Sequence, residues 1–523
     1  MMPIKRKGIF LPGTVFLIIV SAFILSIFIR SPYLNHPLTD ELGGWLTAHT
    51  LRTQQIWYEN GALAHQFLPL VTYQHDADRN INNQGHEIDK KGNYYYTSYS
   101  PFFCILPYLI FRVFNIYPDV LPLEIFNLAI HFICCLFVYW IISFITKNYY
   151  LGKLNLSAFV GMGVYLFAPA TLIYHSNVYF ADILVQLFFL MGIYFFLRII
   201  SDAPMKSDYV LFAIINFLMV YTEWLGVFFS FTVAIYAFFH IKRKGMATVL
   251  MTVILTCLSV LILIVWQFSQ INGFNNLAHT LLDTYQMRSG LFKTADWNLT
   301  YWNIKSWQNL IESYYNNYIP FLVLLFLLGF IYFVSIKEKF SIVLGQDRTY
   351  FVALYLCFLP IILHHLVFFN HFVVHDFAKL KDGVLISFSI AFFYHKIFVK
   401  GFYENSEYWE WRLYFNVAFI LAIICSVNMY SQRSDHVNRY FMRTGNQIAL
   451  TAKKDDVVFM IANSYDLTPQ LVFYAHRNIA LWKDDVTAKQ LLKLDKSKRG
   501  IIFYFNKENS HTVGYTYIYL LNS

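Results

Sequence analysis

The strongest constraint in this sequence is a series of long apolar runs that carry almost no charge. "LFVYWIISFI" and "FLVLLFLLGFIYF" are two of them. Runs near 20 residues match the ~30 Å hydrocarbon core of a bilayer. They fall near 9–30, 101–115, 121–146, 156–174, 178–200, 209–241, 247–268, 319–336, 349–370, 383–399 and 412–430. Charged residues make up only 14% of the chain, against about a quarter in soluble domains. The fold class is therefore a polytopic α-helical membrane protein. The sequence lacks the alternation of an outer-membrane barrel.

The formal charge of +9 sits mainly in short loops between the runs, so it reads as topology and not as nucleic-acid binding. Lys/Arg-rich short loops stay on the cytoplasmic side. This places the loops bearing Lys147/Lys153, Arg198/Lys206, Lys242/Arg243/Lys244 and Lys337/Lys339/Arg348 inside. For all four to be inside, 209–241 must cross twice, with its break at "YTEW" (221–224), and 174–178 must lie outside. The segment 101–115 is short, holds Pro107 and Arg112, and reads as an interfacial helix. About 11 transmembrane helices result, with the N-terminus cytoplasmic and the C-terminus outside, in an inner or plasma membrane. The first run is too long for a secretory signal and has no small-residue cleavage site, so it is expected to remain as a helix.

This topology divides the chain into a transmembrane domain, 1–433, and a small extracytoplasmic α/β domain, 434–523. The first carries two large outer loops, 31–120 and 269–318. In the second, "DDVVFMIAN", "QLVFYAHRNIALW" and "RGIIFYFN" read as strands, and "VTAKQLLKL" as an amphipathic helix. "EIDKKGNYYYTSY" in the first outer loop reads as a hairpin. The six cysteines all lie in apolar segments, so no disulfide framework is expected.

Acids at the outer ends of spans are the first candidates for chemistry. Asp40 and Glu41 stand side by side in "HPLTDELGGW", Asp182 lies about a turn inside "HSNVYFADILVQLFFL", and Glu223 sits in the 221–224 break. An acid at mid-membrane costs about 2.5–3.5 kcal/mol, so such residues line cavities or pair. For Asp182 a purely structural place at a helix N-terminus, favoured by the dipole, stays open. "HHLVFFNHFVVHDFAKLKDG" gathers His364, His365, His371, His375 and Asp376 with Lys379 and Lys381, and "TYQMRSGLF" adds Arg288. Such a cation-rich group suits a phosphate, which a guanidinium binds through a fork of donors. "HDAD" (75–78) has metal-ligand residue types, but a metal site needs several converging ligands.

The acidic pair after the first helix, the aromatic "YYYTSYSPFFCILPYLIFRVF" and "GVYLFAPATLIYHSNVYFADILVQLFFLMGIYFFLR" together resemble the GT-C-fold glycosyltransferases of the protein O-mannosyltransferase and lipid A aminoarabinose transferase type. Asp40/Glu41, Pro101 and Pro169 followed by Asp182 match the family's places in turn. "LVFYAHRNIALW" is similar to a Tyr-Tyr-x-x-Arg strand of bacterial members. The sequence departs from the family in having "YSPFF" for His-Pro-Pro and in lacking the Arg common near the start of the second span, where Glu124 lies nearby instead. It also lacks the Trp-Trp-Asp signature of en bloc oligosaccharide transfer.

The resemblance implies an inverting glycosyltransferase that moves a sugar from a polyprenyl-phosphate donor to a hydroxyl of a protein, lipid or glycan at the outer face of the bilayer. It implies Asp40 as general base, with Glu41 as its neighbour or an acceptor-orienting group. Asp182 and Glu223 would shape the sugar or acceptor pocket, and Arg288, His371, His375, Lys379 and Lys381 would face the phosphate. A monophosphate leaving group has less need of a metal than a diphosphate, so no obligatory metal is expected, and a divalent ion stays open. Two alternatives remain: a polysaccharide polymerase or ligase using diphosphate-linked donors, and a lipid or solute transporter.

Overall fold

The computed structural model describes residues 13–39, 42–146, 154–201, 203–292, 299–335, 348–400, 409–434, 439–461, 467–494, 499–506 and 511–519. Asp40 and Glu41 lie outside the described residues. Eight described helices are long and apolar enough to cross a membrane: they begin at Gly13, Val120, Ala181, Met246, Ile304, Thr349, Asp376 and Glu410. Helices Leu156–Phe167 and Leu225–Phe239 are apolar but shorter. The chain is thus a multi-pass membrane protein, because in hydrocarbon only a helix satisfies its own backbone donors and acceptors.

Local chemistry sets the helix boundaries that matter for the site. Asp119 caps Val120–Ile145 by accepting the Val120 N–H at 2.7 Å, as a short carboxylate at an N-cap does. Asn155 caps Leu156–Phe167 through the Ala158 N–H at 3.1 Å. Ala168 is extended because Pro169 follows it, so the apolar run 156–174 bends into two helices. The run 209–241 is also two helices, Lys206–Val220 and Leu225–Phe239, with 221–224 as the turn between them. Phe102–Val113 has 12 residues, about 18 Å at 1.5 Å per residue, too short to cross a bilayer alone.

The segment that follows the first helix is built on a 19-residue helix, Leu42–Asn60. The hairpin is present, with Glu87–Ile88 antiparallel to Tyr94–Tyr95. The region 269–318 is largely helical: Met246–Asn272 runs into it, Phe274–Ser289 lies within it, and Ile304–Ser335 begins inside it.

The C-terminal part builds a four-stranded sheet in the order Ile479–Leu481, Asp456–Ile461, Arg499–Asn506, His511–Tyr519. The first three strands are parallel and the last is antiparallel. "VTAKQLLKL" is helical within Asp485–Leu494. One expectation is corrected. "QLVFYAHRNIALW" is not a single strand: Pro469–Ala475 is a helix, and only Ile479–Leu481 is extended. Thr468 accepts the Leu471 N–H at 3.4 Å and Pro469 opens the first turn, a start signal that outweighs the β-rich composition. His476, at φ 49°, ends that helix in the left-handed region.

The sheet docks on the segment between helices Gly13–Arg30 and Val120–Ile145 through buried polar pairs. Arg477 Nε donates to both Asp78 oxygens, at 3.0 and 3.1 Å. Asn83 and Ile479 exchange hydrogen bonds of 2.8 and 2.9 Å. The "HDAD" tetrapeptide therefore serves this junction: Asp78 is buried against Arg477, and Asp76 is exposed beside Arg79 at 3.5 Å.

Candidate active site

The site is built around a connection that turns back on itself between two spans. Helix Arg348–Val367 is followed by the short helix Phe369–Val374, a 3₁₀ segment Asp376–Lys381 and helix Asp382–Tyr394. Tyr318 Oη donates to the Lys379 carbonyl at 2.8 Å, and Gln186 Nε2 donates to the Leu380 carbonyl at 3.1 Å. Gln186 lies four residues after Asp182, on the same helix face. One face of helix Ala181–Ile199 thus holds both the backbone at Leu380 and the side chain that follows it.

That side chain is Lys381. Its ammonium lies 3.3 Å from Asp182 Oδ1 and 3.8 Å from Glu223 Oε2, and donates to His364 Nδ1 at 3.0 Å. Since Nδ1 accepts, the His364 proton sits on Nε2, which is 3.2 Å from Glu223 Oε1. All four side chains are buried. Burial raises the Glu223 carboxyl above the usual range, the Lys381 ammonium opposes that rise, and Asp182 adds to it. Asp182 Oδ2 and Glu223 Oε1 are buried and make no well-aligned hydrogen bond, although His364 Nε2 lies 3.2 Å from the latter. Each is an acceptor available to a hydroxyl.

A second group lies alongside. Arg288 ends helix Phe274–Ser289, where Gly290 closes it at φ 71°. A Cβ on Gly290 would stand 3.0 Å from Phe369 Cδ1 and 3.2 Å from the Asn370 nitrogen, so glycine permits this close approach. Asn370 then donates to the Met287 carbonyl at 2.8 Å. The guanidinium of Arg288 lies 4.5 Å over the Tyr99 ring, and Tyr99 Oη is 3.3 Å from His371 Nε2. His371 and His375 follow, with ring centroids 4.5 Å apart. Burial holds both imidazoles below their ordinary range, with Arg288 contributing in each case. Arg288 is buried, yet no carboxylate lies within ion-pair distance of it among the described residues.

Lys379 is buried 3.5 Å from Asp376, which also accepts from the Ser313 hydroxyl and lies 3.6 Å from Arg433. The structure therefore divides the residues singled out in the sequence. Arg288, His371, His375 and Lys379 share one side. Lys381 stands with Asp182 and Glu223. His364, grouped in the sequence with the cations that suit a phosphate, stands with Lys381 and Glu223, and Tyr99 and Gln186 complete the two groups without having been assigned a role. The i, i+4 spacing of Asp182 and Gln186 was a readable signal for the last. The segment that precedes Asp40 is pinned, with Leu38 N–H donating to Tyr474 Oη at 2.8 Å and Gln470 donating to the Thr39 carbonyl at 3.0 Å.

No protein-family model matches the sequence, and no curated protein matches it. Solved structures match in shape. ArnT from Cupriavidus metallidurans bound to undecaprenyl phosphate aligns with a TM-score of 0.58 at 10% identity, over 94% of this chain and 92% of that chain. The oligosaccharyltransferase of Archaeoglobus fulgidus in its apo form aligns at 0.58 and 11% identity, over 93% and 69%. The archaeal oligosaccharyltransferase AglB from Archaeoglobus fulgidus, in complex with an inhibitory peptide and a dolichol-phosphate, aligns at 0.55 and 11%, over 94% and 69%. The chain has the GT-C fold that the sequence led one to expect.

Proposed function

We propose that this chain is an inverting glycosyltransferase that moves a sugar from a polyprenyl-phosphate donor to an acceptor hydroxyl at the Arg288–Asp182 site. The observation that carries this reading is Arg288: a buried guanidinium, oriented by Tyr99, with no carboxylate partner among the described residues. A buried cation is expensive to leave uncompensated, and a phosphate dianion is a fitting partner because the guanidinium fork matches its oxygens. ArnT with undecaprenyl phosphate and AglB with dolichol-phosphate give two proteins of this fold with polyprenyl phosphates bound.

In the proposed reaction the acceptor oxygen attacks the anomeric carbon as the bond to the phosphate oxygen breaks. Arg288 and Lys379 stabilise the departing polyprenyl phosphate, and Tyr99 and His371 hold the guanidinium in place. Aimed cations of this kind often supply the largest share of rate enhancement. Asp182 Oδ2 and Glu223 Oε1 accept hydroxyls of sugar or acceptor. Asp40 takes the acceptor's proton, and Glu41 orients the acceptor. A base so placed contributes about 10²–10⁴-fold.

The test is a transfer assay in membranes, offering labelled polyprenyl-phosphate sugars and following which molecule acquires the label. Label passing to a protein, lipid or glycan supports the reading. Movement of donor across proteoliposomes without transfer overturns it in favour of a transporter.

A further inference from the structure

Two buried carboxylates beside a histidine form a donor set on which a divalent cation is often held. Asp182, Glu223 and His364 bring those donor types together, but the space between them is filled by the chain itself. The Lys381 ammonium is 3.0 Å from His364 Nδ1, 3.3 Å from Asp182 Oδ1 and 3.8 Å from Glu223 Oε2. Mg²⁺ and Ca²⁺ sit about 2.0–2.6 Å from their oxygen ligands. An ion shared by these carboxylates would stand almost on the ammonium, and burial leaves that repulsion poorly screened.

The lysine is also held where it is. Gln186 and Tyr318 both bond the Leu380 carbonyl, at 3.1 and 3.2 Å. The ammonium lies 5.1 Å from the centre of the Phe372 ring, a favourable place for a cation. His364 Nδ1, the nitrogen a metal would take, already accepts the lysine proton. Among the described residues no group of three or more His, Cys, Asp and Glu is set out to hold a metal ion.

We infer that Lys381 is the resident cation of the Asp182–Glu223 pair and takes the place of a divalent metal. Removing the ammonium exposes Asp182, Glu223 and His364 as a metal site that the native chain does not have. That transfer itself runs without metal rests on the reading given above; the cation exchange does not.

The experiment is a Mn²⁺ titration of the full-length protein in detergent, followed by electron paramagnetic resonance. It needs neither donor nor acceptor, so its outcome is independent of whether the chain transfers sugar. Native protein and its Glu223→Gln variant are expected to give the same isotherm. Lys381→Ala is expected to bind Mn²⁺ at least about tenfold more tightly than native protein, and Lys381→Ala combined with Glu223→Gln to lose that gain. Lys381→Arg keeps the charge and is expected to follow native protein. Native binding that Glu223→Gln removes overturns the proposal. So does a Lys381→Ala protein that elutes as native protein does and gains no Mn²⁺ affinity. If Lys381→Ala does not fold, the comparison of native protein with Glu223→Gln still decides.

Discussion

Lys381 Nζ and Asp182 Oδ1 are 3.3 Å apart, although 199 residues separate them in the chain. Both side chains are buried, and each is the other's nearest group of opposite charge. The pair joins the turned-back connection to the mouth of helix Ala181–Ile199. Breaking a buried pair by removing one partner costs about 3–5 kcal/mol, because the remaining charge has lost its compensation. Asp182→Asn is expected near the lower end, since Glu223 stays as a second carboxylate 3.8 Å from the ammonium. Thermal unfolding in detergent checks this, with a lower Tm for Asp182→Asn and an unchanged Tm contradicting it.

Arg288 tests the phosphate side. A hydrogen bond to a charged group contributes about 1.5–3 kcal/mol, or roughly 10- to 150-fold in affinity. Arg288→Gln is expected to raise the apparent KM for donor by that factor. Arg288→Lys should recover only part, since it keeps the charge and loses the planar fork. Steady-state kinetics against donor concentration separates the three proteins.

Acid should loosen the region around the two histidines. Burial holds His371 and His375 below the ordinary value of 6.5, with neighbouring charges adding to the effect: His375 and Arg288 for His371, Arg288 and Lys379 for His375. The folded chain then binds fewer protons at these rings than the unfolded chain does. Their contribution to stability is present above pH 6.5 and is lost as pH falls from there towards the folded values. A Tm that falls on acidification below 6.5, and falls less steeply in His371→Gln, is the expected result.

Arg477 and Asp78 join the C-terminal sheet to the segment that precedes helix Val120–Ile145. Arg477→Met leaves Asp78 buried without its guanidinium, at about 3–5 kcal/mol. Limited proteolysis is expected to release a C-terminal fragment from the variant sooner than from native protein. Equal cleavage rates would show that the junction does not depend on this pair.

Much of the fold was legible because a bilayer leaves few choices. An apolar run must be helical, and Glu223 within 209–241 marked the only place where that run turns. The partition of the cations was not legible. Lys379 and Lys381 are neighbours in sequence and were read as one phosphate-facing pair, yet residues two apart on a helical turn face different ways. Lys379 meets Asp376, and Lys381 meets Asp182 and Glu223. His364 joined the acid cluster through packing of helix Arg348–Val367 that no local pattern encodes. In the C-terminal sheet, Thr468 and Pro469 announced a helix start, but the β-branched and aromatic residues after them drew the reading towards a strand.

Transfer from a polyprenyl phosphate is decided by a single turnover of purified protein with labelled polyprenyl-phosphate sugar and an acceptor identified in membranes. Native protein is predicted to release polyprenyl phosphate and yield a product of inverted anomeric configuration. Asp40→Asn is predicted to slow that turnover by about 10²–10⁴-fold while keeping expression and membrane insertion. Turnover by Asp40→Asn at the native rate would remove Asp40 as the base, and no release of polyprenyl phosphate from any donor would rule out the proposed transfer.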